Sequence, residues 1–184
     1  KSKIPNLQRT LEKTEKEIEG FNVLDIKSGQ VTSVLAKDYV IGAVLAEMPS
    51  SYHKEALKAQ AVAAFTYALR QQQNEKISPS KELNGADFSN DSSKYQAYFS
   101  VEEAKEKFGT SYNEVNKKVT EAVNEVYGQY LVFNDEPIAA AYHSISSGIT
   151  ENAQNVWGEE ISYLTAKESE YDTTSPDYEY TVTF

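Results

Sequence analysis

The apolar positions change spacing several times along the chain, and each change predicts an element. Residues 4–19 are rich in Lys, Glu and Gln, with apolar side chains at Leu7, Leu11 and Ile18. That spacing predicts a weakly amphipathic helix, a stalk or appendage to the domain after it. Residues 21–26 alternate as a strand does, Lys27-Ser28-Gly29-Gln30 supplies a turn, and residues 31–35 return as a second strand. From Tyr39 to Met48 every residue except Glu47 is apolar or Gly. The run predicts a helix with Asp38 as cap or first-turn acid, and Pro49 cannot continue it. Ser50 and Ser51 offer a new cap, with Glu55 in the first turn of a second helix over residues 53–73. That helix carries Ala56, Ala59, Ala61, Ala63, Ala64 and Ala68. Small residues on several faces let other elements approach closely, so a buried central helix is expected. Gln60 and Thr66 are then internal polar groups that need partners.

Between residues 74 and 93 the pattern dissolves into Ser, Asn, Asp, Gly and Pro, which predicts a long loop, mobile or functional. Residues 95–99 suit a short extended piece. Ser100-Val101-Glu102-Glu103 is a capping-box pattern opening a short helix that ends near Gly109. Thr110 or Ser111 caps the next helix. Its apolar residues Val115, Val119, Ala122, Val123 and Val126 share a face, and Gly128 marks its end. Residues 130–133 and 138–143 predict strands joined through Asn134-Asp135-Glu136-Pro137. Residues 163–166 and 178–184 alternate as late strands, and the chain stops within the last, so a C-terminal portion beyond it is expected. No internal repeat is present. The fold class is α+β, with central helices packed against short antiparallel strands and hairpins.

Composition narrows the classes. Hydrophobic residues make up 40% of 184 and charged residues 25%, the balance of a globular domain. The formal net charge of −10 argues against a nucleic-acid partner, which would require clustered Lys and Arg. No cysteine is present, so disulfides and thiolate ligands are excluded. No apolar run approaches membrane-spanning length. The chain starts at Lys1 without a leader, which suits an excised ectodomain. Thirteen tyrosines against one Trp suit a polar, extracytoplasmic binding surface.

Glu47 is the first candidate for chemistry. An ionised carboxylate in an apolar run is costly unless paired or set in a cleft. Two readings are open: a solvated or ion-paired residue at the rim of a core helix, or a cleft acid. A second candidate region holds His143-Ser144-Ile145-Ser146-Ser147-Gly148, then Thr150-Glu151-Asn152 and Asn155-Val156-Trp157-Gly158. A polar loop with an aromatic at a strand end often carries a site. The two histidines, His53 and His143, make a zinc centre a poor fit without further ligands. There is no Gly-rich phosphate loop, no dinucleotide fingerprint and no nucleophile elbow to accompany a triad on His143.

Three separated motifs, in order, resemble the stage II sporulation protein D family. DYVIGAVLAEMPSSYHKEALKAQAVAAFTYAL resembles that family's E-M-P signature and the Ala-rich motif after it. GADFSNDSSKYQAY is similar to its G-A-D…Q-A-Y segment, and YHSISSGITENAQNVWG to its H-S-x-S-G-G-x-T-E-N-x-x-x-V-W-G segment. The resemblance runs from about Phe21 to Asp172. It implies a peptidoglycan lytic transglycosylase that cuts peptide-stripped glycan strands and leaves 1,6-anhydro-N-acetylmuramic acid ends. It further implies a setting in spore engulfment, with an amidase and a membrane partner, and no cofactor. The family also includes proteins described as amidase enhancers, so the alternative reading is a non-catalytic glycan-binding or amidase-enhancer protein.

By this resemblance Glu47 is the catalytic acid. Tyr142, His143, Ser144, Ser147 and Gly148 would bind substrate, with Tyr142 or Trp157 stacking on a sugar face. Three departures stand out. Phe65 occupies the place of the family's Arg in A-A-R-T-Y. Leu83, Ser89, Lys94 and Tyr95 stand where some members carry His and Cys zinc ligands, so no metal is expected there. Ser147 replaces the first Gly of S-G-G. The expected organisation is an N-terminal helical extension over residues 1–20 and a catalytic domain over 21–184, extracytoplasmic and held to a membrane through a segment outside this chain.

Overall fold

The computed structural model describes residues 10–13, 18–175 and 178. They divide into two compact units, one ending at Ala140 and the other beginning at Ala141. The first unit contains β1 (Thr10–Lys13), β2 (Gly20–Leu24), β3 (Val31–Leu35), α1 (Ala36–Glu47), α2 (Lys54–Ile77), β4 (Phe88–Ser89), α3 (Val101–Phe108), α4 (Tyr112–Val126), β5 (Gln129–Phe133) and β6 (Glu136–Pro137). The second contains α5 (Ala153–Trp157), a 3-10 turn at Glu170–Thr174 and a bridge between Ile149 and Glu168. The class is α+β, as the periodicity predicts.

The hairpin forms as expected. β2 and β3 pair antiparallel, Gly20 opposite Leu35 and Leu24 opposite Val31. Asp25 holds the turn, accepting the Lys27 N–H and the Ser28 hydroxyl, each at 2.9 Å. These bonds favour the charged carboxylate and lower the Asp25 pKa. β3 leads directly into α1, whose first turn carries Asp38 and whose end is set by extended Met48. The buried residues Ala36, Tyr39, Val40, Gly42, Ala43, Val44 and Leu45 surround the axis of α1, which makes it a central helix.

α2 is capped by His53, whose ring Nδ1 accepts the Glu55 N–H at 3.2 Å, rather than by Ser50 or Ser51. It continues to Ile77, four residues beyond the sequence expectation. Leu57, Ala61, Ala64, Phe65 and Ala68 are buried on it. Thr66 is satisfied: its hydroxyl donates to the Val62 carbonyl at 2.6 Å and accepts the Leu131 N–H at 3.0 Å. Lys58 pairs with Glu55 at 2.9 Å and with Glu125 of α4 at 3.4 Å. α3 begins with the complete capping box of Ser100 and Glu103.

The structure differs from the sequence reading in four places. Thr10–Lys13 is a strand, antiparallel to β5, not part of a helix; a partner edge overrides a weak helical pattern. The segment at 74–93 is ordered: a 3-10 turn at Lys81–Leu83 seats Leu83, and β4 pairs parallel with β2 through Val23–Phe88 and Leu24–Ser89. The second hairpin turns on Asn134 and Asp135, with φ of 52° and 64°, so β6 is only Glu136–Pro137 and residues 138–143 form no strand. Residues 163–166 likewise form no strand. The late strand expected at 178–184 lies outside the described residues except for Tyr178.

The core joins α1, α2, α4 and the face of β2. Phe21 sits at its centre, with ring centroids 5.3 Å from Tyr39, 5.7 Å from Phe88 and 6.4 Å from Phe65. Among the described residues no helix is long and apolar enough to cross a membrane.

Candidate active site

Glu47 ends α1, where the chain must leave the helix before Pro49. Its side chain is half-buried rather than enclosed. One oxygen, Oε1, accepts the Ala97 backbone N–H at 2.9 Å. The other has no hydrogen-bond partner among the described residues, and Glu47 makes no ion pair there. The carboxyl group is therefore held by one edge and open at the other.

Residues 96–99 form the cradle. Gln96 is buried, and its Oε1 accepts the Tyr39 hydroxyl at 3.2 Å. Ala97 reaches Glu47. Tyr98 stacks on Tyr39 with centroids 5.1 Å apart and planes at 22°. The Phe99 N–H donates to the Gly42 carbonyl at 3.2 Å. Gly42 permits this approach, since a Cβ there would lie 2.2 Å from the Phe99 carbonyl oxygen. Burial pushes the Tyr98 phenol up to about 12. A cavity of about 270 Å³ lies beside Tyr98 and Gly42, with Lys37, Asp38 and Asn116 in its wall; Glu47 is not part of it.

Tyr67 of α2 joins the same neighbourhood. Its hydroxyl oxygen accepts Gln71 Nε2 at 3.3 Å and is hydrogen-bonded by the backbone of Gln96. Burial raises its pKa, and the charge of Glu47 adds to the rise. Sequence reasoning missed Tyr67, Gln96 and Ala97, although Thr66-Tyr67 and Gln96-Ala97-Tyr98 both lie inside family motifs. Gln60 lies seven residues before Tyr67 on the same face of α2, buried, with Nε2 unpartnered among the described residues.

Asp87, in the Gly-Ala-Asp motif, is a clamp. One carboxylate oxygen accepts the Asn22 N–H at 2.8 Å and Gln72 Nε2 at 3.1 Å, which ties β2 to α2. Phe65, where the resemblance leads one to expect Arg, is buried against Tyr127 at 5.8 Å and Tyr130 at 6.5 Å.

The remaining sequence candidates belong to the second unit. Tyr142, His143, Ser144 and Ser147 are exposed, and Gly148 is half-buried with φ of +95°. Asp172 organises this loop, accepting the Ser146 N–H at 2.8 Å and its hydroxyl at 2.5 Å. Those bonds lower the Asp172 pKa, with a smaller contribution from His143. The Ser147 carbonyl accepts the Tyr178 hydroxyl at 3.2 Å. Trp157, at 58% exposure, and Tyr142, at 40%, are surface aromatics rather than core.

Comparison with known proteins agrees with the motifs. The SpoIID pattern, stage II sporulation protein, matches residues 25–133. Stage II sporulation protein D of Bacillus subtilis (strain 168) is 40% identical over 154 residues, covering 84% of this chain and 44% of that protein. The protein of the same name from Bacillus amyloliquefaciens is 38% identical over 154 residues, with the same coverage of 84% and 44%. An amidase enhancer of Bacillus subtilis (strain 168) is 34% identical over 142 residues, 77% of this chain and 16% of that protein. The chain spans less than half the length of these relatives. With the family pattern covering more than half of the chain, and Glu47-Met48-Pro49, Gly85-Ala86-Asp87 and Gln96-Ala97-Tyr98 meeting in one unit, this chain belongs to the SpoIID, stage II sporulation protein, family.

Proposed function

We propose that this chain is a cell-wall enzyme of the lytic transglycosylase type, acting outside the cytoplasm on glycan strands already stripped of stem peptides. The observation that carries the reading is the state of Glu47: one carboxylate oxygen fixed by the Ala97 N–H, the other open, at the end of a rigid central helix. A single carboxyl group suffices for this reaction. Glu47 donates a proton to the glycosidic oxygen as its bond to C1 of N-acetylmuramic acid breaks. The Glu47 carboxylate then accepts the C6 hydroxyl proton as O6 bonds to C1. The proton returns to the enzyme, no water is consumed, and the 1,6-anhydro end is the product. The second carboxylate that a hydrolase uses is not required.

Glycan contacts in this reading come from the exposed loop with Tyr142, His143, Ser144, Ser147 and Gly148. Hydroxyl, imidazole and backbone groups suit neutral sugar hydroxyls and acetamido groups. An amidase that prepares the strands and a membrane-bound partner complete the proposed setting.

Phe65 favours a second reading, a non-catalytic glycan binder or amidase enhancer. Its ring fills a buried aromatic cluster where the family motif would supply a cation. Digestion of peptide-stripped peptidoglycan separates the two. The native chain should release products about 18 Da lighter than hydrolysis gives, the mass of one water, and Glu47→Gln should release none. No products from either protein, with glycan binding retained, would replace the enzyme reading with the second.

A further inference from the structure

The hydroxyl of Tyr67 is held in place yet keeps its hydrogen unused. Its oxygen accepts Gln71 Nε2, one turn along the same helix, at 3.3 Å. It also accepts the backbone N–H of Gln96. A phenol oxygen that accepts twice still has one O–H to donate. No acceptor for that hydrogen lies within bonding distance among the described residues. A half-buried donor without an acceptor is costly, and water or a ligand oxygen must take it.

The position of this donor is set by the segment that holds Glu47. Gln96 binds Tyr67 and the next residue, Ala97, binds Glu47 Oε1. Consecutive Cα atoms are about 3.8 Å apart, so phenol and carboxylate flank one stretch of backbone. They are not hydrogen-bonded to each other, but the phenol feels the carboxylate's charge. The end of α1 and the middle of α2 thus hold an acid and a neutral donor against the same two-residue stretch of backbone.

We propose that Tyr67 is a substrate-contacting residue of the Glu47 site, its hydroxyl donating to a hydroxyl or acetamido oxygen of the bound glycan. The inference rests on the glycan reading above. Burial raises the phenol's pKa further above its ordinary value, so the donor is present at physiological pH. Its neutrality suits an uncharged sugar oxygen, and its ring offers an apolar edge to the sugar.

The test compares native protein, Tyr67→Phe and Glu47→Gln on peptide-stripped glycan strands. Anhydro product formation is measured for kcat and KM, glycan affinity by calorimetry, and folding by thermal melting. Tyr67→Phe keeps the ring but leaves the Gln96 N–H without its acceptor, so it should fold and melt somewhat below the native protein, while kcat/KM falls by about tenfold, the loss of one well-placed hydrogen bond. A kcat/KM within about twofold of native overturns the inference and leaves the enzyme reading intact. If native protein binds glycan but makes no product, the enzyme reading falls and affinity decides: weaker binding by Tyr67→Phe upholds the contact, equal binding overturns it. If native protein binds no glycan, both fall. Should Tyr67→Phe fold poorly, Gln71→Met, which frees the phenol from one of its two restraints, must show a smaller drop in the same direction, and native behaviour overturns the inference.

Discussion

The backbone N–H of Ala97 donates to Glu47 Oε1 across 2.9 Å, joining two motifs that are 50 residues apart in the chain. Because the donor belongs to the main chain, no side-chain change at 97 removes it except proline. Ala97→Pro deletes the N–H and keeps the side chain small and apolar. Glycan cleavage should fall by about 10–100-fold, the scale of a misplaced reacting group, with far-UV circular dichroism unchanged. Native rates in Ala97→Pro would show that this bond does not orient the acid.

Gly42 lies in the middle of α1, where Gly→Ala ordinarily stabilises a helix by about 0.5–1 kcal/mol. Here the added carbon would lie 2.2 Å from the Phe99 carbonyl oxygen and 2.5 Å from the Tyr98 ring. Gly42→Ala should therefore destabilise, by about 1–3 kcal/mol in urea unfolding. Since Tyr98 and Phe99 directly follow Ala97, it should also lower activity in the fraction that remains folded.

Phe65 is 3% exposed among Phe21, Tyr127 and Tyr130. Phe65→Arg, the change toward the family motif, places a charge in a cluster shaped for a ring. Stability should drop by about 2 kcal/mol or more, read from urea midpoints. Gain of stability instead would reveal an acceptor for the guanidinium that the native packing hides.

In the second unit the Asp172 carboxylate is held below its usual range, chiefly by the Ser146 hydroxyl and then by the Ser146 N–H. A lowered carboxylate contributes stability that is present above its unfolded value, about 3.8, and lost as pH falls through the lower folded value. Amide protection at Ser146 and Gly148, followed by hydrogen exchange, should be full at neutral pH and decline in acid. Asp172→Ala should show the low protection already at neutral pH. Protection that is independent of pH in the native protein would remove Asp172 from the role of loop anchor.

How much of this was legible in the sequence depended on how local the determining contacts are. The β2–β3 turn, the end of α1 at Pro49 and the Ser100–Glu103 capping box depend on residues within one turn of one another, and all three formed as expected. Glu47 stood out as the lone charge of an apolar run. By contrast, Thr10–Lys13 becomes a strand only because β5 offers an edge, and Phe88–Ser89 only because β2 does. His53 displaces Ser50 and Ser51 as cap because the chain needs the intervening residues to turn after Pro49. Tyr67 was invisible for the same reason: nothing in an Ala-rich helix tells which of its residues the distant Gln96-Ala97 segment will meet.

The parallel pairing of β4 with β2 also has a kinetic consequence. Asn22 and Asp87, which clamp it, are 65 residues apart, and α1 and α2 fill the interval. Closing a flexible loop of that length costs on the order of 4 kcal/mol plus a constant, whereas a preformed pair of packed helices shortens the distance to be searched. β4 should thus dock late, after the helices meet and the rate-limiting barrier has been crossed. In stopped-flow denaturant experiments, Asp87→Ala should speed unfolding and leave the refolding limb nearly in place. The strand that completes the first unit's second sheet then acts as a latch on its lifetime rather than a guide to its assembly.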